Sequence, residues 1–250
     1  MDVPVRKRAG CWPRRPAPRR QGRSGAMKIG IVGAGNIGQA LAGLATGSGH
    51  EVMLSNSRTA ETLAEIAAAI GCAAGTREEA IAFGEVVVVT IPFAKVFSLD
   101  PVPLAGKILI DTNNYYPNRD GRFAELEERR ATTSGMVAAH FPGALVVKAF
   151  NAILAADLAN PETVSMPAGS GRRALPIAGD DAQAKEVVAG LQDQFGFDTV
   201  DAGGLLESWR FERAKPAYCI PLDRLGLTEA LALAQREVEL AHGSWWRKSG

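Results

Sequence analysis

Residues 27–58 read MKIGIVGAGNIGQALAGLATGSGHEVMLSNSR. A short apolar stretch over residues 28–32 predicts a strand, and it leads directly into a glycine-rich turn. A helix of small residues follows, and residues 51–54 predict a second strand. The succession of strand, glycine-rich turn, helix and strand is the pattern of a nucleotide-binding βαβ unit, so this stretch indicates both the fold and the class of ligand.

The glycines of the turn have separate predicted tasks. Gly33 allows a tight turn after the strand, Gly35 lets the backbone approach a pyrophosphate, and Gly38 lets the helix pack closely on the strand. The start of the helix also presents unpaired N–H groups to phosphates. The alternative is a glycine-rich turn of an unrelated α/β protein. The context favours a dinucleotide site made by Gly33, Ala34, Gly35, Asn36, Ile37 and Gly38.

The end of the second predicted strand indicates which dinucleotide binds. Residues 55–58 read Ser-Asn-Ser-Arg and contain no carboxylate, whereas NAD enzymes commonly place Asp or Glu there for the ribose 2′-hydroxyl. Arg58 could make a charge-assisted contact to a 2′-phosphate, and Asn56 and Ser57 could donate to its oxygens. The sequence therefore predicts NADP(H). The alternative is that Arg58 is a solvated surface residue.

Composition limits the other possibilities. The 250 residues are 46% hydrophobic, enough for a sizeable core, yet no apolar run reaches the length of a membrane span. The three cysteines and three histidines are scattered, so neither a disulfide framework nor a metal site is expected. These features predict a cytoplasmic protein with no membrane partner.

The charge is unevenly distributed. Residues 1–26 hold eight Lys or Arg and one acidic residue, a charge of +7, so the remaining residues carry −6 of the overall +1. The first segment is rich in Arg and Pro and is predicted to be disordered. It could be a nucleic-acid tail, or it could precede the true start at Met27. An export signal is disfavoured because no apolar region follows its arginine pairs. The acidic remainder predicts no nucleic-acid partner.

Beyond residue 58, predicted strands alternate with predicted helices, which is typical of a parallel, doubly wound α/β sheet. We expect a Rossmann-type NAD(P)-binding domain over residues 27–204 and a short helical extension over residues 205–250, with helices at 205–214 and 228–242. The last helix would close the domain or form a homodimer contact. The extension is too short for a large helical substrate domain.

Polar residues follow three of the predicted strands. Since ligands of such sheets bind beyond the carboxyl ends of the strands, these residues predict the nicotinamide site. Amide side chains can satisfy a nicotinamide carboxamide, and Phe93 could pack on a ring or ribose. Alternatively, the asparagines only form local turns. The candidates at these strand ends are Ile91, Pro92, Phe93, Asn113, Asn114 and Asn151.

The motifs together resemble a known family. Residues 33–38, 57–58, 90–92, 179–181 and 201–203 resemble the NADPH:coenzyme F420 oxidoreductases, and residues 146–151 are similar to the NADPH-binding domain of the six-transmembrane ferric reductases. The resemblance implies that residues 34–37 wrap the pyrophosphate and that Ser57 and Arg58 hold the 2′-phosphate. It also places Phe93, Asn114 and Ala155 near the ribose and nicotinamide. A lysine that adds to the phosphate site in archaeal members is replaced here by Thr62.

The predicted function is an NADPH-dependent oxidoreductase that transfers a hydride between NADP(H) and a small redox partner, either a deazaflavin (coenzyme F420) or a flavin. Hydride transfer between stacked rings requires no side-chain acid or base, and the sequence indicates none, so no catalytic residue is assigned. Trp209 could border the acceptor or be a core aromatic residue, and Cys219 is expected to be structural. The alternatives are a reductase of a small carbonyl or imine, for which no proton donor is evident, and a non-catalytic NADP(H)-binding sensor.

Overall fold

The computed structural model describes residues 25–160, 162 and 171–240. The predicted disordered segment therefore lies outside the described residues, except for Gly25 and Ala26. The last two residues of the predicted helix 228–242 also lie outside them.

Eight strands form one sheet within the described residues, in the order β3-β2-β1-β4-β5-β6-β7-β8. The strands are β1 Lys28–Val32, β2 Glu51–Ser55, β3 Ala73–Gly75, β4 Val86–Val89, β5 Ile108–Asp111, β6 Leu145–Lys148, β7 Ala174–Gly179 and β8 Asp198–Asp201. The first six strands pair in parallel.

The helices lie between these strands and after them. They are α1 Asn36–Gly47, α2 Ala64–Ile70, α3 Arg77–Phe83, α4 Phe93–Val96, α5 Pro117–Asp120, α6 Ala124–Glu127, α7 Thr133–His140, α8 Ala155–Ala159, α9 Ala182–Gln194 and α10 Arg224–Leu233. Short 3₁₀ segments cover Ala60–Leu63, Val102–Leu104 and Leu205–Phe211.

The core covers both faces of the sheet. All four valines of β4 are buried, as predicted for a strand with helices on both sides. Val86 and Val88 belong to one apolar cluster, which includes residues of α1 and α9, whereas Val87 and Val89 belong to a second cluster with residues of α7. The four valine side chains thus point alternately to the two faces of the sheet, and each face packs against its own layer of helices. The predicted Rossmann-type α/β fold is confirmed.

The direction of β7 differs from the prediction of a wholly parallel sheet. β7 runs antiparallel to β6, with Lys148 opposite Ala178, and β8 is parallel to β7. A parallel neighbour would need a connection that crosses back over the sheet. The described part of the connection after β6 contains the short helix α8, which packs on α1, and the chain turns back at the carboxyl edge of the parallel strands.

Two predicted helices of the C-terminal segment have different bounds. The predicted helix 205–214 is a 3₁₀ segment that ends at Phe211, and the predicted helix 228–242 is α10, which begins at Arg224. Asp223 starts α10 by accepting a hydrogen bond from the Gly226 amide at 2.8 Å. The helix ends before its predicted end because Lys215 Nζ donates to the carbonyls of Gln235, Arg236 and Val238, which holds that stretch in a non-helical path. No helix in the described ranges has the length and apolarity that a bilayer crossing needs.

Candidate functional site

The three glycines of the turn differ in what a side chain at their position would contact. Gly33 has φ +118°, a left-handed conformation that favours glycine, and a Cβ there would lie 2.6 Å from Thr90 Oγ1. A Cβ on Gly38 would lie 1.9 Å from the Gly33 carbonyl oxygen. A Cβ on Gly35 would meet nothing within 4 Å. Gly33 and Gly38 are thus required by the protein itself, whereas Gly35 faces open space in which a pyrophosphate would fit.

The start of α1 provides donors for that space. Its N-cap is Gly35, which offers no side-chain acceptor to the first N–H groups of the helix. Two residues that were not predicted as site residues hold the turn in place. Thr90 Oγ1 donates to the Gly33 carbonyl at 2.7 Å, and Gln39 Nε2 donates to the Ala34 carbonyl at 2.7 Å. Gly35 and Asn36 are exposed, so the unpaired N–H groups are open to an anion.

The predicted phosphate-binding residues follow β2 at the same edge of the sheet. The Gly33 amide donates to the Ser55 carbonyl at 3.0 Å, which links this strand end to the turn. Ser57 and Arg58 are exposed, and within the described residues the Arg58 side chain has no ion pair. Its guanidinium is therefore available to a phosphate.

Asn56 has a different role in this structure from the predicted direct donation to the phosphate. Its Oδ1 accepts from the Arg58 amide at 2.8 Å, and its Nδ2 donates to Thr62 Oγ1 at 2.8 Å. The side chain thus shapes the turn that carries Ser57 and Arg58. Thr62, at the position of the archaeal lysine, is part of the same turn because it also donates to the Thr59 carbonyl.

A cavity of about 330 Å³ lies at the carboxyl ends of β4, β5 and β6. This volume is at the lower end of the range for small-molecule sites. Seven of the predicted site residues line it: Ile37, Ile91, Pro92, Asn113, Asn114, Asn151 and Ala155. The structure therefore brings the residues of three strand ends together with the motif helix.

The asparagines in the cavity differ in their partners. Asn151 Nδ2 donates to Asn114 Oδ1 at 3.1 Å and to the Phe211 carbonyl at 3.0 Å, and Asn114 Nδ2 donates to the Asn151 carbonyl at 3.0 Å. Asn151 Oδ1 is buried without a hydrogen-bond partner. A buried acceptor of this kind is costly unless a ligand donates to it, and a carboxamide N–H would do so. Asn113 instead matches the local-turn alternative, because its Nδ2 donates to Asp111 Oδ1 at 2.8 Å.

The predicted role of the Phe93 ring is wrong in this structure. The Phe93 side chain is fully buried beneath the strand ends. Its ring packs edge-to-face against Phe97 at 5.2 Å and Phe123 at 5.1 Å between ring centroids. An apolar ring at the first position of a short helix is driven into the core, so it cannot also stack on a ribose or a nicotinamide.

A buried charge network lies behind the cavity. Lys148, at the end of β6, is fully buried and donates to the Asn113 carbonyl at 2.9 Å and to Thr133 Oγ1 at 2.6 Å. Its Nζ lies 3.7 Å from Asp111 Oδ2 and 3.6 Å from Glu212 Oε1. The lysine therefore joins β5, β6 and α7 and fixes the backbone at Asn113.

Two tyrosines line the same cavity and were not predicted as site residues. The hydroxyls of Tyr116 and Tyr218 are 2.6 Å apart. Tyr116 lies close to the asparagine pair in the sequence, and this position could have indicated it as a site residue. Tyr218 is separated from Tyr116 by 102 residues, so the sequence offers no such indication for it. Burial raises the pKa of the Tyr218 hydroxyl, so this group stays neutral.

Two of the four residues other than glycine that have a positive φ in the described ranges line this cavity. Phe150 has φ +58° and Cys219 has φ +56°, and both residues line the cavity. Left-handed conformations of residues other than glycine are often found at functional sites. Burial raises the pKa of the Cys219 thiol to about 12, so the thiol is protonated and suits the structural role predicted for it.

Trp209 does not line this cavity. It borders a separate cleft of about 350 Å³ with Tyr115 and Pro117. The ring is half-buried, and the side-chain cations of Arg210, Lys215 and Arg236 lie 4.8, 5.6 and 5.8 Å from its centroid. Neither expectation for Trp209, an acceptor wall or a core aromatic residue, describes this position.

Comparison with known proteins finds a family model and relatives that are similar to this chain. Residues 28–115 match the family described as NADP oxidoreductase, coenzyme F420-dependent. The metalloreductase STEAP3 of Rattus norvegicus is 33% identical over 213 residues, which cover 81% of this chain but only 40% of the rat protein. The sequence-based resemblance to both groups is thereby confirmed.

Two solved structures extend the comparison. The hypothetical protein SMa0349 from Sinorhizobium meliloti is 29% identical with a TM-score of 0.67, and the match covers 79% of this chain and 96% of that one. A protein from Arthrobacter sp. FB24, provisionally described as an F420-dependent NADP reductase, is 25% identical with a TM-score of 0.60 over 74% of this chain and 88% of its own. In both cases the match covers nearly the full length of the other protein.

Proposed function

We propose that this chain belongs to the F420-dependent NADP oxidoreductase family and transfers a hydride from NADPH to a deazaflavin or a flavin. The observation that carries the proposal is the position of Ile37. It is the second residue of α1 and belongs to the predicted pyrophosphate-binding residues, and it also lines the cavity at the strand ends. A dinucleotide held at the turn would therefore extend its nicotinamide into that cavity.

The proposed binding roles follow from the groups that are available. The N–H groups at the start of α1 would hold the pyrophosphate, and Arg58 would pair with the 2′-phosphate. Asn151 Oδ1, the unpartnered buried acceptor, would take a hydrogen bond from the carboxamide. When bound, NADPH would supply the hydride, and these groups would hold it along the strand ends.

The acceptor is proposed from similarity. The cavity of about 330 Å³ would have to take the nicotinamide ring and the ring stacked on it, and such stacking needs orientation and exclusion of water. The similarity to an Arthrobacter protein described as an F420-dependent reductase and to a metalloreductase supports a redox acceptor.

The test is the rate of NADPH oxidation with coenzyme F420, FMN, FAD, a ferric chelate, and a panel of small ketones and cyclic imines. We expect turnover with F420 or a flavin. Tight NADPH binding without turnover of F420 or either flavin would refute the proposal. In that case, turnover of a ketone or imine would indicate the carbonyl reductase alternative, and no turnover at all would indicate the sensor alternative.

A further inference from the structure

The hydroxyl pair in the cavity is a feature that hydride transfer between two rings does not by itself require. Tyr116 and Tyr218 come from distant parts of the chain, yet their hydroxyl oxygens are 2.6 Å apart at the cavity that also holds Asn114 and Asn151. Two hydroxyls carry two protons, and the hydrogen bond between them uses only one. One proton of the pair is therefore left for another partner.

The two hydroxyls differ in burial. Tyr218 is 4% exposed and has a second hydrogen-bond partner in the Cys219 side chain, so it is the inner hydroxyl, whereas Tyr116 is only partly buried and is the outer one. Either oxygen can be the donor at 2.6 Å. When the Cys219 thiol donates to Tyr218 and Tyr218 donates to Tyr116, the Tyr116 proton is left for a group in the cavity.

Both rings are held in place. The Tyr116 amide donates to Asp120 Oδ2 at 2.9 Å, and Arg119 binds both oxygens of the same carboxylate. The Arg119 guanidinium lies 4.7 Å from the centroid of the Tyr116 ring and also donates to the Asn114 carbonyl at 3.1 Å. The Cys219 amide donates to the Ala152 carbonyl at 3.2 Å and so fixes the neighbouring Tyr218. Such preorganisation suits a donor that acts at a defined point.

We propose that Tyr116, supported by Tyr218, is the proton donor to the hydride acceptor. The acceptor is then an organic molecule in which a carbonyl oxygen or an imine-type nitrogen is conjugated to the atom that receives the hydride. This inference rests on the proposed function, because NADPH is the hydride source.

The step balances as follows. The acceptor gains the hydride with its electron pair, and a π-electron pair of the acceptor moves to its conjugated heteroatom. That heteroatom takes the Tyr116 proton, so one O–H bond breaks as an O–H or N–H bond forms. Tyr218 stabilises the resulting phenolate by its hydrogen bond, and solvent water returns a proton to Tyr116. Flavins, deazaflavins, ketones and imines meet this requirement, whereas a ferric ion takes an electron without a proton.

The experiment compares Tyr116→Phe, Tyr218→Phe and the double variant with Tyr115→Phe. Tyr115 is a matched control because its hydroxyl bonds outside this cavity, to the Gly121 carbonyl at 2.9 Å and Glu127 at 3.2 Å. With F420, FMN, FAD and the ketone and imine panel as acceptors, we expect kcat to fall about 10²-fold in Tyr116→Phe, the lower end of general acid catalysis. KM for NADPH should not change, and the double variant should lose no more than Tyr116→Phe, because the two hydroxyls act as a unit.

A binding measurement serves as the second readout. Oxidised FMN or F420 is titrated into the NADP⁺-loaded protein and followed by fluorescence, and loss of the hydroxyl should weaken binding roughly two- to tenfold. Melting curves check that each variant is folded.

The outcomes separate the two proposals. Tyr116→Phe kinetics and binding equal to those of Tyr115→Phe would overturn the proton-donor role while leaving the reductase function intact. Turnover of a ketone or imine but not of F420 or flavins, with the same dependence on Tyr116, would overturn the proposed acceptor and support the donor. Turnover of a ferric chelate alone, or no turnover and no binding of any acceptor, would overturn both.

Discussion

Removal of the buried cation at the end of β6 should be among the most destabilising single changes in this protein. In Lys148→Met the side chain keeps its length and loses its charge. Asp111, whose side chain is fully buried, then keeps the donors from Asn113 and Ser134 but has no counter-charge at 3.7 Å. Breaking a buried ion pair from one side costs about 3–5 kcal/mol, because the remaining charge is left uncompensated.

The assay is unfolding in urea together with thermal melting. For a domain of this size, about 3–5 kcal/mol corresponds to a fall in melting temperature of roughly 6–20 °C. The control is Lys185→Met, which makes the same chemical change in an ion pair with Asp201 that is shorter, 2.8 Å, but whose carboxylate is half exposed. That change should cost no more than about 1 kcal/mol.

A second variant separates charge from packing. Lys148→Met combined with Asp111→Asn removes the orphaned charge and should be more stable than Lys148→Met alone. If Lys148→Met is within about 1 kcal/mol of the wild type, or if the double variant is the less stable of the two, the argument from an uncompensated buried charge is wrong.

The other predictions concern the turn, the phosphate contact and the thiols. Gly35→Ala should melt close to the wild type yet bind NADPH more weakly in a titration, since its Cβ enters open space, whereas Gly38→Ala should lower both stability and binding because its Cβ would lie 1.9 Å from a carbonyl oxygen. Arg58→Ala should weaken NADPH by about 1.5–3 kcal/mol and leave NADH nearly unchanged, so equal losses in the two titrations would argue against NADP preference. Burial raises the pKa of Cys72 to about 11 and that of Cys219 to about 12, from 9.0. Their contribution to stability is therefore complete below pH 9 and is lost as the pH rises towards those values, and chemical denaturation from pH 8 to 11 should show a shallower decline when both are replaced by Ala.

Local chemistry made the first half of the fold predictable. The Gly33 turn, the buried valines of β4 and the polar strand ends each follow from rules that act within a few residues, and the structure places these elements in the expected order. The reversal of β7 was not predictable in this way. A strand of either direction buries the same apolar residues, and the direction depends on whether the preceding connection crosses the sheet.

The residues of the candidate site were predictable only where they lie close to a strand end in the sequence. Asn114 and Asn151 could be placed because each lies three residues after the end of a strand. Tyr218 could not, because its position depends on the path of the whole C-terminal segment. Phe93 shows the opposite error, since its place in the sequence suggested a ligand contact while its apolarity drew the ring into the core.

The turn-back after β6 separates the part of the cavity that would select the acceptor from the part that would hold the dinucleotide. The described start of the connection to β7, which carries Asn151 and Ala155, lies at the rim of the sheet, and the segment with Tyr218 is hydrogen-bonded to it. The Tyr218 segment would contribute the part of the cavity that meets an acceptor, whereas Asn151, the sheet and the glycine turn would hold the dinucleotide. Substitutions in the Tyr218 segment would therefore change acceptor choice while the sheet stays intact, so relatives of this fold could diverge in substrate without diverging in architecture.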